Sequence, residues 1–160
     1  MDKRYWNRYY KNAKGVIYPT SFAKFCQNKF FIKKKNIVEL GSGNGRDALY
    51  FFHNTHSVIA IDQSPVALQI SKNDINNVNK NLVTISGNFI KQDFESIEPI
   101  DVFYSRFTLH TITQEEEDEL LPKLYKSLKV GGLICIEART VKDSIFGVGK
   151  DCGDNAFRTD

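Results

Sequence analysis

The feature that most constrains this chain is the run NIVELGSGNGRDALYFF, Asn36 to Phe52, which sets three glycines within five residues between two apolar segments. Ile37-Val38-Glu39-Leu40 reads as a short buried strand, and Asp47-Ala48-Leu49-Tyr50-Phe51-Phe52 as the opening of a helix. Gly41, Gly43 and Gly45 then occupy a strand-to-helix turn. Glycines there leave backbone N–H groups bare at a helix N-terminus and let a ligand lie against the chain, as nucleotide sites require.

The pattern of strand, crossover and strand then repeats. Ser57 to Ile61 reads as a second strand closing on Asp62, and Ser64-Pro65 as a helix start with Ser64 at the N-cap and Pro65 at the first helical position. That helix runs through Val66, Leu68 and Ile70 towards Ile75. Leu82 to Ser86, Ile100 to Tyr104 and Leu133 to Ala138 supply strands three to five, with a helix from about Thr113 to Lys129 before the last. Thr113 caps that helix, and the acidic run Gln114 to Glu119 lies where the helix dipole favours negative charge, which accounts for it without a further role. Such alternation predicts an α/β, doubly wound, mostly parallel sheet with helices on both faces and ligands beyond the carboxyl ends of the strands. At 160 residues and 41% hydrophobic, the chain has the size for one domain with its own core. Residues 141–160, with Gly147, Gly149 and Gly153, read as loop.

The glycine pattern narrows the ligand. A dinucleotide fingerprint would need glycine at position 46, where Arg46 stands, and no Gly-Lys-Ser/Thr follows to make a phosphate loop. The chain has GxGxG preceded by Glu39 instead. VELGSGNGRDAL, then Asp62 in VIAIDQSP, then Gly87-Asn88-Phe89 and finally YSRFTLH resemble the class I S-adenosylmethionine-dependent methyltransferases, over about residues 36 to 140. The resemblance implies a Rossmann-like fold and S-adenosylmethionine as cofactor. It places the Gly41, Ser42, Gly43, Gly45 turn behind the methionine part, Asp62 on the two ribose hydroxyls, and Asn88 and Phe89 beside the adenine. Glu39, Gln63 and Ser105 count with them as cofactor residues. Asn88 departs from the aspartate more usual there, although its amide can still hydrogen-bond a base edge. Asp62 also has a purely structural reading, as a turn residue before Ser64-Pro65.

Methyltransferases acting on nitrogens of bases or amides often carry an Asn/Asp-Pro-Pro-aromatic turn after the fourth strand. Ser105 to His110, SRFTLH, is similar instead to the small-molecule branch of the family. Arg106 and Arg139 follow the fourth and fifth strands, where two guanidinium groups make a clamp for phosphate or carboxylate. The alternative is that each pairs locally, with Glu137 or Asp143. His110 is a candidate general base, since imidazole titrates near neutrality, or a polar residue packed near the cofactor. His53 and His56 read as surface residues, and Cys135 as buried within strand five.

Net charge of +3 conceals an asymmetry: residues 1–35 hold ten Lys or Arg against Asp2 alone, together with nine of the 20 aromatics. In the family such a segment often folds over the cofactor cleft, with Tyr9, Tyr10, Tyr18 and Phe22 as lid and the basic residues drawing an anionic acceptor. The alternative is an amphipathic cover with Phe22, Phe25 and Phe30 or Phe31 in the core. This opening, with YSRFTLHTITQEEEDELL and IEARTVKDS, is similar to bacterial methyltransferases of capsule and surface-polysaccharide biosynthesis. That similarity implies a sugar or sugar-linked phosphate acceptor, such as an O-methyl phosphoramidate decoration.

Other classes are disfavoured. Cys26, Cys135 and Cys152 have neither disulfide-framework nor zinc spacing, so no metal is expected, and the absence of a signal sequence or apolar span reads as a soluble cytoplasmic protein. The rivals are a nucleic-acid methyltransferase and a non-catalytic cofactor-binding version of the fold. Family domains add two strands after the fifth, for which residues 141–160 lack the length. Either the chain is part of a longer one, or another subunit of a homodimer supplies the neighbour of strand five.

Overall fold

The structure is a computed structural model that describes residues 3–12, 18–73, 81–97, 99–140, 142–144, 147–151 and 157–158. Two helices, α1 (Lys3–Asn12) and α2 (Ser21–Phe30), precede the alternating part. There follow β1 (Asn36–Leu40), α3 (Arg46–His53), β2 (Ser57–Asp62), α4 (Pro65–Asn73), β3 (Leu82–Ser86), β4 (Ile100–Arg106), α5 (Gln114–Ser127) and β5 (Leu128–Glu137). Five strands form one all-parallel sheet in the order β3-β2-β1-β4-β5. The winding reverses between β1 and β4, which opens a crevice at their carboxyl ends.

Alternation along β1 divides the core. Ile37 faces a cluster with Ala23 and Cys26 of α2, Ala48 and Phe51 of α3, and Val58, Ala60, Val102 and Tyr104 of the neighbouring strands. Val38 and Leu40 face the opposite cluster, with Phe103, Ile61, Phe89 and the α5 residues Leu120 and Leu124. Both faces of the sheet are therefore covered, as doubly wound sheets demand. The caps fall where the sequence puts them: Ser64 Oγ accepts the Ala67 N–H at 3.2 Å, and Thr113 with Glu116 makes a reciprocal capping box.

Several expectations need correction. Strand five begins five residues early, at Leu128, because the chain enters it straight from α5 and passes a bulge opposite Ile100 and Val102. Part of residues 141–160 is not loop: β6 (Lys150–Asp151) and β7 (Phe157–Arg158) pair antiparallel in a separate ribbon. Of the α2 aromatics, Phe31 is buried and Phe22 packs on the core, whereas Phe25 and Phe30 face solvent as a T-shaped pair. Ile75, Cys152 and Gly153 lie outside the described residues. Cys26 and Cys135 are both buried and free; the Cys26 thiol donates to Cys135, which pushes Cys26 up and holds Cys135 down. No helix among the described residues is long and apolar enough to cross a membrane.

His56 is the largest departure among the polar residues, being buried rather than on the surface. Its ring lies edge-on to Phe31 and Phe51. Nδ1 accepts the Lys35 N–H at 3.0 Å, so Nε2 carries the proton and donates to Gln27 Oε1 at 2.9 Å. Burial, then Lys35 and Lys34, push its pKa down, so the folded protein resists protonation that the unfolded chain accepts near pH 6.5. The stability owed to neutral His56 is complete above about pH 6.5 and falls as the pH drops below it. Urea unfolding should show a loss of stability between pH 7 and pH 5 that shrinks in His56→Gln. Equal losses in the two proteins would refute this role.

Candidate active site

The turn after β1 is built as the sequence suggests. Gly41, Gly43 and Gly45 all take left-handed φ values, +70°, +56° and +76°. Close approach explains two of them. A Cβ on Gly41 would lie 2.4 Å from the Thr108 side chain, and one on Gly43 would lie 2.2 Å from the Tyr10 hydroxyl. Thr108 follows β4 and Tyr10 belongs to α1, so two separate parts of the chain pack against the turn. The Gly41 and Ser42 N–H groups donate to the Ile61 carbonyl at 2.9 and 3.0 Å, fastening the turn to β2.

Asp62 closes β2 and serves as the turn residue before Ser64-Pro65. Oδ1 accepts the Ser64 N–H and Oδ2 the Gly43 N–H, each at 2.8 Å, so the carboxylate joins the helix start to the glycine turn. Burial raises its pKa while these backbone donors lower it. Gly41, Asp62, Gln63, Gly87, Asn88 and Phe89 line one open cleft, joined by Ile90, Ile112 and Glu116. The last three carry no motif. Glu116 is visible in sequence only as the partner of the Thr113 cap, while the 3₁₀ turn Phe89–Lys91 brings in Ile90. Asn88 Oδ1 is committed to capping that turn through the Ile90 N–H at 2.9 Å, which leaves its amide NH₂ to meet a base.

Deeper under the turn lie groups that a cationic ligand would satisfy. Glu39 and Ser42 are buried, and neither Glu39 Oε2 nor Ser42 Oγ has a hydrogen-bond partner among the described residues. Glu39 shares its surroundings with Asp47 and Asp62. Three carboxyl groups below a glycine turn disfavour a pyrophosphate and suit a positively charged end joined to a nucleoside. Ser105 is buried and donates to the Leu40 carbonyl at 3.4 Å, and so it holds β4 to β1.

The region after β4 brings together Arg106, Phe107, His110 and Arg139. Arg106 stacks over the Phe107 ring at 4.0 Å and Arg139 over the same ring at 5.1 Å, while His110 meets it edge-on at 6.0 Å. The two guanidinium groups are not an open clamp. Arg106 Nε pairs with Glu137, and Arg139 Nη1 pairs with Asp143 Oδ2 at 2.9 Å, which is the local pairing the sequence left as the alternative. His110 Nδ1 is buried without a partner among the described residues, and burial, then Arg139, lower its pKa. Phe107 itself has φ +54°, a strained conformation that turns the chain at the site.

The N-terminal segment reaches this site through one residue that the sequence offers only as a helix opening. Asp47 is buried and accepts from Thr20 N, Thr20 Oγ1 and Tyr104 Oη, each at 2.8 Å. Ahead of Thr20, α1 lies along α4, with Ser64 Oγ donating to Asn7 Oδ1 at 2.7 Å. Of the lid candidates, Tyr10 covers Gly43, Tyr9 meets it edge-on at 5.0 Å, and Tyr18 is 72% exposed and away from the core.

Comparison with known proteins fits this geometry. A search of curated proteins gives no match. Among solved structures, the CcbJ methyltransferase of Streptomyces caelestis aligns with TM-score 0.65 at 18% identity, over 84% of this chain and 58% of that one. A Methanococcus maripaludis protein put forward as an S-adenosyl-L-methionine-dependent methyltransferase aligns with TM-score 0.67 at 23% identity, over 86% and 64%. The glycopeptide N-methyltransferase MtfA in complex with S-adenosyl-L-methionine aligns with TM-score 0.61 at 15% identity, over 76% and 57%. This chain thus spans less than two thirds of each of these structures, and the likeness establishes the fold. In sequence, the profile of the methyltransferase domain matches residues 38–136, from within β1 to the penultimate residue of β5, so the chain belongs to the methyltransferase domain family.

Proposed function

We propose that this chain binds S-adenosylmethionine in the crevice between β1 and β4 and passes its methyl group to an oxygen of a small anionic acceptor, a sugar or sugar-linked phosphate of a bacterial surface polysaccharide. The observation that carries the donor half is the left-handed glycine turn standing over the Glu39, Asp47 and Asp62 carboxyl groups, with the open cleft lined by Asp62, Asn88 and Phe89 beside it. Asp62 would take the ribose hydroxyls, and Asn88 and Phe89 the adenine. When bound, the sulfonium donor supplies an already activated methyl group, so the chain has chiefly to align an oxygen with it and keep water out. His110, kept neutral by burial, would take the acceptor's proton.

The acceptor half rests on the two arginines that share the Phe107 ring. Because each is held by a carboxylate, an incoming phosphate must displace both Glu137 and Asp143 before both forks can close on it. MtfA acts on nitrogen, so oxygen as the acceptor atom belongs to the proposal alone.

Calorimetry with S-adenosylhomocysteine tests the donor site. Wild type should bind it in the micromolar range and should not bind a nicotinamide dinucleotide. Asp62→Ala should weaken the complex by about 1.5 to 3 kcal/mol, the loss expected when hydrogen bonds to a charged group disappear. Comparable binding of the dinucleotide would reject the reading of the glycine turn.

A further inference from the structure

Glu39 lies near the end of β1, on the same face as Ile37, and is 4% exposed. An ionised carboxylate in that position is costly unless paired and hydrogen-bonded. The Ala48 N–H serves one part of its carboxyl group, and Oε2 has no partner among the described residues. The charged and titratable groups around it are Asp47 and Arg46 from α3, Asp62 at the end of β2, and the Tyr104 hydroxyl from β4. Among the described residues, two further carboxyl groups thus face it against a single guanidinium.

The three acids are not equally supported as anions. Asp47 accepts three hydrogen bonds, from Thr20 N, Thr20 Oγ1 and Tyr104 Oη. Asp62 accepts two, from the Gly43 and Ser64 N–H groups. Glu39 has the least support, so a proton shared among the three belongs on it. Burial and then Asp47 push its carboxyl well above the usual range, and Arg46 only partly offsets them.

We propose that Glu39 carries a proton while the donor site is empty, and releases it to solvent when the α-ammonium group of the donor's methionine end settles against the glycine turn. This rests on the reading of the crevice as the S-adenosylmethionine site. One O–H bond breaks, one proton leaves and one positive charge arrives, so the buried charge stays balanced and Oε2 acquires its missing partner. The free protein must lose a proton to bind, so affinity rises with pH by up to tenfold per pH unit below the free-state value for Glu39. A ligand with the same nucleoside but no amino-acid end has nothing with which to displace that proton.

Calorimetry on the full chain, titrated at pH 6.5 to 7 in two buffers of different ionisation enthalpy, counts protons directly. S-adenosylhomocysteine should release close to one proton per ligand bound, and 5′-methylthioadenosine, which lacks the amino-acid end, should release none. In Glu39→Gln, a neutral isostere of the protonated side chain, S-adenosylhomocysteine should bind with almost no proton release. Wild type binding S-adenosylhomocysteine without proton release, equal release with 5′-methylthioadenosine, or unchanged release in Glu39→Gln would overturn the proposal. Failure of wild type to bind either adenosine ligand would instead remove the donor-site reading on which it rests.

Discussion

Asp47→Ala should cost about 3 to 5 kcal/mol of folding stability, because it removes a buried anion and strands three donors at once. Thr20 N and Oγ1 and Tyr104 Oη all lose their acceptor in an interior that water does not reach. Asp47→Asn should cost less, since one carbonyl oxygen remains to accept. Tyr104→Phe removes one of the three donors, and its effect should be smaller when Asp47 is already alanine, with a coupling above about 1 kcal/mol. Urea unfolding of wild type, the three single variants and the Asp47→Ala/Tyr104→Phe double variant measures all of these, and a loss under about 1 kcal/mol in Asp47→Ala would show that the network is dispensable. The same variant should loosen the N-terminal segment, because Thr20 also caps α2 through the Ala23 N–H at 3.1 Å.

His110→Ala should lower the rate of methyl transfer by about 10² to 10⁴ while leaving S-adenosylhomocysteine affinity near wild type. The sign of the pH dependence separates base from packing residue. A base must be deprotonated, so turnover should rise with pH through the lowered pKa of His110 and level off by about pH 6.5. That acid limb should vanish in His110→Ala. Transfer of a labelled methyl group to a panel of sugar phosphates and nucleotide sugars provides the rate, and a loss under tenfold with the limb intact would assign His110 to packing.

The backbone plan of this protein is legible in its sequence because its signals are local. A glycine turn, Ser64-Pro65 and the Thr113 cap each declare themselves within five residues, and strand alternation does the rest. Side-chain partnerships that join distant elements are not written locally. Asp47 looks like any first-turn acid until the fold brings Thr20 and Tyr104 to it from 27 and 57 residues away. His56 looks like a loop residue until Gln27, 29 residues off, receives its proton. The arginines show the converse limit, since their spacing suits a clamp and local pairing equally, and only the placement of Glu137 and Asp143 decides between them. Phe107, the ring both arginines share, has no sequence signal for its role. Its left-handed backbone conformation is one that sequence rules reserve for glycine and asparagine.

The position of β1 between β2 and β4 also governs how the chain must be made. A strand with a neighbour on either side is finished only when both have arrived. β2 follows within a few tens of residues, but β4 begins at Ile100, 60 positions after β1 ends at Leu40. At roughly 5 to 20 residues per second a ribosome takes about 3 to 12 s to cover that distance. For those seconds one edge of Ile37, Val38 and Leu40 has no native partner, and the apolar strand is exposed to mispairing with whatever strand is near. Refolding from denaturant faces the same long-range closure and should be slow and concentration-sensitive, with aggregation competing most strongly before β4 docks.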